Sequence, residues 1–413
     1  MDSKYVKSYK SDIYIMIPFT MDTNMDIKEE KEDMISEEFL SYMEENSIYE
    51  CNSKVTKDLK RKFLGKNYLA CLNYNYDGKI LDKELVYLFL TEHRSTGIYV
   101  LTIMDLKNKF SPTQIEDQVT TDNILLYDEN DNTVDINTYM KEKYGLNRCG
   151  EAKILLSISN KPKDFLEFKS MLACETYKTF VENGQYYKLT SKEIEKICDD
   201  NFSEYDFYEI YASRSSIVYV LNTFSDDSIA NIQDEIPILF IIELIMFQNA
   251  AVLRTNNKII EQLSENETVS LSFIEDLYKE FGKTIRFWNK NVFKYITVQN
   301  ISSKINEAFG TKNIIDEYYK NQDFLEHIVN LRDIQNSNRE SKVLNIIVLI
   351  LTLVQVIPVI LEFLNWVFSL NIHVNYLYII NISVVLLVLI IILLNSISSN
   401  EGQVNVCFNN RRK

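Results

Sequence analysis

The sequence predicts an α+β cytosolic domain followed by long helices, a stalk helix and a C-terminal hairpin of two transmembrane helices. Two uncharged apolar segments near the C-terminus indicate the hairpin, and a polar segment of helical character directly before them indicates the stalk. Short apolar runs in the first half indicate strands. Nine glycines and five prolines among 413 residues favour long regular helices. We divide the chain into a cytosolic α/β domain (1–225), a long-helix region (226–311), a stalk (312–342), a hairpin (343–398) and a basic cytosolic tail (399–413).

The two apolar segments have the length of membrane-spanning helices. Residues 343–361 and 376–394 each contain nineteen residues without a charge, and the apolar character of the first continues to residue 369. About twenty apolar residues suffice to cross a bilayer as a helix, and a helix satisfies its own backbone groups in lipid. We therefore predict spans at 343–369 and 376–395, joined by a short outer link.

Basic residues set the predicted orientation of these spans. They precede the first span and follow the second, whereas the link 368–376 contains neither lysine nor arginine. By the positive-inside bias both the N- and the C-terminus face the cytoplasm, which predicts a multi-pass protein of the cell (inner) membrane. The basic residues are Arg339, Lys342, Arg411, Arg412 and Lys413.

One face of the first span carries nearly all of its polar side chains. Positions at alternating steps of four and three keep to one stripe of a helix, and polar groups in hydrocarbon usually face a bundle interior or a water-filled path. Several copies around an axis have room for such a path, so the stripe predicts a pore in a homo-oligomer. A dry helix interface and a plain two-helix anchor are the alternatives. The pore-lining candidates are Asn338, Ser341, Asn345, Val348, Thr352, Gln355, Val359 and Glu362.

The first half of the chain contains apolar runs of strand length separated by polar turns. These runs predict strands at 13–19, 68–76, 85–90, 97–104, 152–159, 205–211 and 216–221, and helices at 35–43 and 164–182. Turns are predicted at 91–96 and around Arg214. The segment 105–150 is polar and is predicted to be irregular.

Longer helical patterns begin after residue 223. Residues 236–263 predict a helix whose apolar run, interrupted by Glu243, is too short to span a membrane and is therefore buried. Ser272 and Glu275 form a capping box that predicts the start of a helix ending near Gly310. The packing stripe of that helix is Phe281, Ile285, Trp288, Val292 and Tyr295.

Composition and residue clusters argue against several classes of function. The formal net charge of −15 disfavours nucleic acid as a partner. The six cysteines show no paired spacing and are expected to be reduced in the cytosol. The three histidines lie far apart and no phosphate-binding glycine loop is present, so we predict neither an enzyme nor a required cofactor. Arg94 and Arg214, at turns between strands, are candidates for contact with an anionic ligand, with plain surface turns as the alternative.

Residues 225–413 resemble the CorA-type divalent cation channels. Two passages carry the resemblance: residues 321–338, NQDFLEHIVNLRDIQNSN, are similar to the end of the stalk in that family, and VLNII at 343–347 is similar to its entry into the membrane. Before residue 225 only the layout is similar. The resemblance to the family implies a homopentamer in which the first span lines the pore, with membrane lipid and cations as further partners.

The outer mouth follows from the same resemblance, and the gate from the residues that precede the polar stripe. The Gly-Met-Asn triplet that marks the family is absent; its nearest equivalents contain Asn365 and Asn371, which we take as candidates for the selectivity ring. The link carries no carboxylate after Glu362, which disfavours selectivity for magnesium, because a strongly hydrated ion requires oxygen ligands. Mg²⁺ or another divalent cation remains the candidate transported or regulatory ion. Leu331 and Ile334 precede the polar stripe and are the candidate apolar gate.

A divergent branch of this family accompanies type III CRISPR systems. This chain resembles that branch in its unusual first half and in its lack of the triplet. The resemblance implies an antiviral membrane effector gated by a nucleotide messenger, an adenylated S-adenosylmethionine. Three functions are therefore carried forward. The first is a ligand-gated cation channel, the second a housekeeping magnesium or divalent cation transporter, and the third a membrane-anchored binding module without a pore.

Overall fold

A computed structural model describes residues 10–21, 26–51, 57–72, 80–108, 118–119, 122–159, 180–181, 185–186, 200–222, 225, 227–265 and 292–368, with single positions at 273, 276, 277, 279 and 383. The chain forms two compact units. The first joins residues 1–260 with 275–319, and the second joins 261–274 with 320–413. The predicted boundary at residue 225 falls inside the first unit.

The described residues contain twelve strands, ten of which form one sheet. Their bounds are β1 Ser11–Met21, β2 Leu59–Leu72, β3 Ile80–His93, β4 Ile98–Asn108, β5 Leu125–Tyr127, β6 Thr133–Asp135, β7 Leu146–Arg148, β8 Lys153–Ile158, β9 Phe180–Val181, β10 Gln185–Tyr186, β11 Tyr208–Ala212 and β12 Ser216–Leu221. The sheet runs in the order β11-β12-β8-β1-β4-β3-β2-β5-β6, and β7 also pairs with β1. Its pairs are antiparallel except β8 with β12.

Strand β1 lies in the middle of the sheet and is covered on both faces. It pairs with β4 on one side and with β8 on the other, so that Ile15 is opposite both Ile103 and Ile154. Successive side chains of a strand point to opposite faces. Tyr14 and Met16 accordingly enter one apolar core, while their neighbour Ile15 enters a second core on the other face.

Helices close both faces of the sheet. The named helices of the described residues are α1 Met34–Glu50, α2 Ile136–Tyr144, α3 Ser228–Glu265, α4 Ile296–Ala308 and α5 Thr311–Phe368. Buried residues of α1, α3 and α4 join the core of Tyr14, whereas α2 packs into the core of Ile15. Helix α3 therefore belongs to the same folded unit as the strands.

Helix α3 is the predicted buried helix, and it is longer than expected. Residues 238–242 are all buried, including Phe240. A helix that is apolar on all faces is buried in a core or in a membrane. Among the described helices only the stretch Ser228–Glu261 is long and apolar enough to cross a membrane, and 89% of its most apolar window is buried inside the protein. The burial against the sheet identifies α3 as a core helix.

Helix α5 runs without interruption through the predicted stalk and the first apolar segment. It contains 58 residues. Gly310, at φ 72°, lies between the end of α4 and the start of α5. Glycine adopts this left-handed conformation at little cost, so it can form the sharp turn that separates the two helices. The second predicted span and the basic tail lie outside the described residues.

Several predicted elements match the structure. The runs at 13–19, 85–90, 97–104 and 216–221 lie in β1, β3, β4 and β12, and the helix at 35–43 lies inside α1. Strand β8 covers most of 152–159, and the turn between β3 and β4 is at 94–97. Strand β2 begins nine residues before the predicted strand at 68–76. Strand β11 begins at Tyr208 rather than at Tyr205.

Other predictions were wrong. The segment 105–150 was predicted to be irregular, but it contains β5, β6, α2 and β7. The three strands were missed because strands of three residues are too short to show a periodic pattern. The helix predicted at 164–182 lies mostly outside the described residues, and its end is wrong, because Phe180–Val181 is a strand paired with β10. The helix predicted from 272 to 310 is broken. Phe293 forms a β-bridge with Cys51, and α4 starts only at Ile296, so Val292 and Tyr295 are not on a helical stripe.

The charged residue inside the apolar run of α3 has a partner on the sheet. Arg61 of β2 donates a hydrogen bond from its terminal nitrogen to Oε2 of Glu243 at 2.6 Å. The Arg61 side chain is 5% exposed and the Glu243 side chain is fully buried. The guanidinium also lies 5.7 Å from the ring centre of Phe240. A buried charge is tolerated when it is paired, so this contact allows α3 to carry a carboxylate inside the core.

We expect Glu243→Leu to lower the free energy of unfolding by about 3 kcal/mol, because it leaves the buried Arg61 without its closest counter-ion. The double variant Arg61→Met/Glu243→Leu removes both charges, and we expect its stability to return close to that of the parent. Chemical unfolding of the purified protein, followed by circular dichroism, measures both changes.

The exposed pair of Lys83 and Asp131, 2.9 Å apart, provides the control. Lys83→Met removes a solvated ion pair, and such pairs contribute little to stability. Equal losses in Glu243→Leu and Lys83→Met would show that the buried pair is no more important than a surface contact.

Candidate functional site

The predicted pore residues lie on the single helix α5. Ser341, Asn345, Val348, Thr352, Gln355, Val359 and Glu362 are exposed in the single chain. The hydroxyl of Thr352 donates a hydrogen bond to the carbonyl of Val348 at 2.8 Å, so its donor is satisfied within the helix. Apolar residues on the other faces are also exposed. The predicted pore stripe therefore differs from the other faces of α5 in the polarity of its side chains, and not in their exposure.

For the candidate gate and mouth residues within α5, the structure describes the backbone only. Leu331, Ile334, Asn338 and Asn365 lie within α5, and Asn371 lies outside the described residues. Their roles in a gate, a pore or a selectivity ring stay predictions from the sequence.

A cavity of about 440 Å³ lies in the first unit. It is enclosed by the loop between β7 and β8, the turn between β11 and β12, one face of α3, and the turn from α4 to α5. We call it the Lys153 cavity. Its principal lining residues are Glu151, Lys153, Arg214, Asn249, Phe309 and Gly310. Cavities of this size hold small molecules.

The cations of the Lys153 cavity share one carboxylate. The amine of Lys153 donates to Oε2 of Glu151 at 3.0 Å and to the backbone carbonyl of Arg214 at 2.9 Å. A terminal nitrogen of Arg214 lies 3.5 Å from Oε1 of Glu151. The Lys153 side chain is 6% exposed, whereas those of Glu151 and Arg214 are 63% and 84% exposed. Glu151 is therefore a movable counter-ion beside a buried amine.

The electrostatics of this trio follow from its burial. Desolvation lowers the pKa of Lys153, and the neighbouring charge of Arg214 lowers it further. The hydrogen bond from Lys153, together with the charge of Arg214, lowers the pKa of Glu151. The amine also lies 4.9 Å from the ring centre of Phe309, a favourable cation–π arrangement. The cavity is therefore a place where an acidic group is held ionised.

The opposite wall of the cavity offers a buried amide. Asn249 is 9% exposed, and within the described residues its Oδ1 atom accepts no hydrogen bond. Met246, Ala250 and Leu253 line the cavity from the same face of α3, because residues three, four and seven apart share one side of a helix. Buried polar atoms normally have partners. The free carbonyl oxygen of Asn249 is therefore available to a donor in the cavity.

Of the two arginines predicted as ligand contacts, the structure places only Arg214 at the Lys153 cavity. Arg94 is exposed in the turn after β3, and its backbone N–H donates to the carbonyl of Asp58 at 2.9 Å. Lys153, Asn249 and Glu151 were missed by the sequence analysis. A signal existed for two of them, since Lys153 starts an otherwise apolar strand and Asn249 follows a long apolar run of α3.

A second described cavity, of about 370 Å³, lies beside β2 and β3 and is lined by Lys60, Lys62, Glu92 and Tyr99. Three of its polar side chains have internal partners. Lys62 donates to the carbonyl of Ile27 at 2.6 Å, and the Tyr99 hydroxyl donates to Glu92 at 3.4 Å. It therefore makes a weaker candidate site than the Lys153 cavity.

The described residues hold no group of three His, Cys, Asp or Glu side chains that could bind a metal ion. Cys51, Cys71 and Cys149 are free thiols, and burial raises the pKa of each of them.

Two carboxyl groups are buried between β1 and α3. The Tyr14 hydroxyl donates to Oε2 of Glu235 at 2.5 Å. The backbone N–H of Lys107 donates to Oδ1 of Asp12 at 2.6 Å, and the amide of Asn231 lies 3.5 Å from its other oxygen. Burial raises the pKa of Asp12 to about 6 and raises that of Glu235 well above its usual value. No cavity among those described reaches this pair, so we assign it to the core.

Comparison of the chain with known protein families, with curated proteins and with solved structures found no match. The resemblance of residues 225–413 to the CorA-type channels thus rests on the sequence passages and the layout alone.

The Asp12 carboxyl predicts a pH-dependent loss of stability. Its pKa is higher in the folded protein than in the unfolded chain, so the folded protein binds more protons between about pH 4 and 6, and its stability falls as the pH rises through that range. We expect the parent to lose up to about 3 kcal/mol relative to Asp12→Asn between pH 4 and 6.

Denaturant unfolding of both proteins at a series of pH values measures this difference. Glu129→Gln, which changes an exposed carboxyl in the turn after β5, is the control and should follow the parent at every pH. Parallel curves for the parent and Asp12→Asn would contradict the assignment of Asp12 as a buried, protonated group.

Proposed function

We propose that this protein is a homopentameric cation channel of the cell membrane, gated by a ligand that binds its cytosolic domain. One observation carries the proposal. The last part of α5 exposes large apolar side chains on all sides, with Leu344 at 62%, Leu349 at 60% and Trp366 at 80% exposure. An apolar surface of this extent needs lipid or further copies of the chain to cover it.

The polar stripe determines how copies would be arranged. Asn345, Thr352, Gln355 and Glu362 follow one face of α5, and polar side chains at membrane depth favour a water-filled interior. With the stripes facing a common axis, the remaining Leu, Ile and Val faces meet lipid or neighbouring helices. A ring of several α5 helices therefore supports conduction of a hydrated cation.

Ligand control is supported by the position of the Lys153 cavity. Its lining includes the turn from α4 into α5, where the pore helix begins. A ligand shifts a channel between closed and open states only when it binds one of them more tightly. A site whose wall is the first turn of α5 meets this condition if that turn differs between the two states.

The housekeeping magnesium transporter is the second candidate. The absence of the family's triplet and of carboxylates in the link argues against it, since magnesium favours oxygen ligands at the mouth. A role in type III CRISPR defence is a finer proposal, with a nucleotide messenger as ligand. Type III interference genes beside the coding sequence would favour it, and their absence would favour the transporter.

We expect the purified protein to have the mass of a pentamer in detergent and to carry cations across liposome membranes once its gating ligand is present. Glu362→Leu/Asn365→Leu should reduce this flux at least tenfold while the mass stays pentameric, because the predicted mouth loses its oxygen ligands. Native mass spectrometry and a fluorescent flux assay measure the two properties.

Phe363→Leu/Leu364→Ile is the matched control, because it changes adjacent positions off the polar stripe, and we expect normal flux. A monomeric mass, or a parent that carries no cations under any condition, would leave the membrane-anchored module as the function.

The gate prediction is tested by making the apolar ring polar. Leu331→Asn/Ile334→Asn should produce a leak of cations without ligand, because polar side chains lower the barrier to wetting a narrow apolar constriction. Val329→Asn adds the same side chain on the opposite face of the helix and should stay closed. A double variant that assembles normally and remains as closed as the parent would exclude a gate at this level.

A further inference from the structure

We propose that the Lys153 cavity is the binding site for the gating ligand, and that it takes a small organic anion with an apolar body, for which AMP serves as the probe. The assignment of gating rests on the proposed channel function. The assignment of binding rests on the cavity alone.

The anionic group of the ligand is assigned to Lys153 and Arg214. Both are held by Glu151 in the structure, at 3.0 and 3.5 Å. The Glu151 side chain is 63% exposed, so its carboxylate can rotate into water when another anion takes its place. Phosphate and carboxylate groups are well matched to an arginine beside a lysine. An incoming anion thereby keeps the buried amine of Lys153 paired.

The body of the ligand is assigned to the apolar part of the cavity lining. Met246, Leu253 and Phe309 supply apolar contacts, and the unpaired Oδ1 atom of Asn249 accepts a hydrogen bond from a ligand N–H. A volume of about 440 Å³ is sufficient for a molecule with one ring system and one anionic group. An inorganic anion would leave the apolar wall and Asn249 unused.

The cavity also explains how binding can act on α5. Phe309, Gly310 and Asn313 line it on both sides of the left-handed turn at Gly310. The backbone N–H of Asn313 donates to the carbonyl of Gly310 at 3.0 Å, so this turn is also the first turn of α5. A ligand in the cavity contacts that turn directly and stabilises the one arrangement that fits it.

Calorimetric titration of the full-length protein in detergent tests the site, with AMP, adenosine and inorganic phosphate as probes. We expect one AMP per chain, and binding of adenosine or phosphate at least tenfold weaker, because each supplies only half of the contacts. Arg214→Gln should weaken AMP roughly tenfold, the usual effect of losing a charged hydrogen bond. Asn249→Leu should also weaken it.

Two further variants separate a binding role from a structural one. Glu151→Gln removes the internal competitor and should bind AMP several-fold more tightly than the parent, whereas damage to the fold would weaken binding. Arg94→Gln changes the other exposed turn arginine and should bind AMP as the parent does. Thermal unfolding verifies that every variant is folded.

The site is overturned if AMP does not bind, if Arg214→Gln binds as Arg94→Gln does, or if Glu151→Gln weakens binding. Different results test the proposed channel function. AMP that binds with the expected pattern but leaves cation flux unchanged would keep the site and remove its gating role. Flux through a pentamer that binds no AMP would keep the channel and remove the site.

Discussion

The need to cover helix α3 on all sides determines the arrangement of the first unit. Its residues 238–242 are consecutive buried apolar side chains, so no face of this stretch can be left to water. The sheet supplies one cover through the face that carries Tyr14 and Met16, and α1 and α4 supply others. Helix α4 packs into this core before the chain enters α5.

Several polar residues of α3 are buried together with its apolar ones, and two of its carboxylates have partners on the sheet. Glu235 accepts a hydrogen bond from Tyr14, and Glu243 is paired with Arg61. Both partners come from the sheet, so only one placement of the helix satisfies the two carboxylates together. The Oδ1 atom of Asn249 has no such partner within the described residues and lies at a cavity. This unsatisfied oxygen lies where a ligand in the cavity could donate a hydrogen bond to it.

The sequence predicts those parts of the fold whose patterns are long. Strand β1 and helices α3 and α5 follow directly from apolar runs and from helical periodicity. The elements between β5 and β7 were missed because three-residue strands leave no pattern. The Lys153 cavity could not be foreseen as a unit, because Lys153, Arg214, Asn249 and Phe309 come from four separate elements or turns. The pore stripe stays a prediction, since its surroundings depend on several copies of the chain.

The proposed gating depends on the continuity of α5. Its 58 residues form one helix, and consecutive backbone hydrogen bonds make a helix move as a stiff element. In the proposed mechanism, a change at its first turn, beside Gly310, is passed along this helix toward the polar stripe. Gly310, where the chain leaves α4, is the proposed hinge, and it lines the Lys153 cavity. A ligand at this turn would contact α5 where the helix begins, and that contact is the basis of the proposed gating.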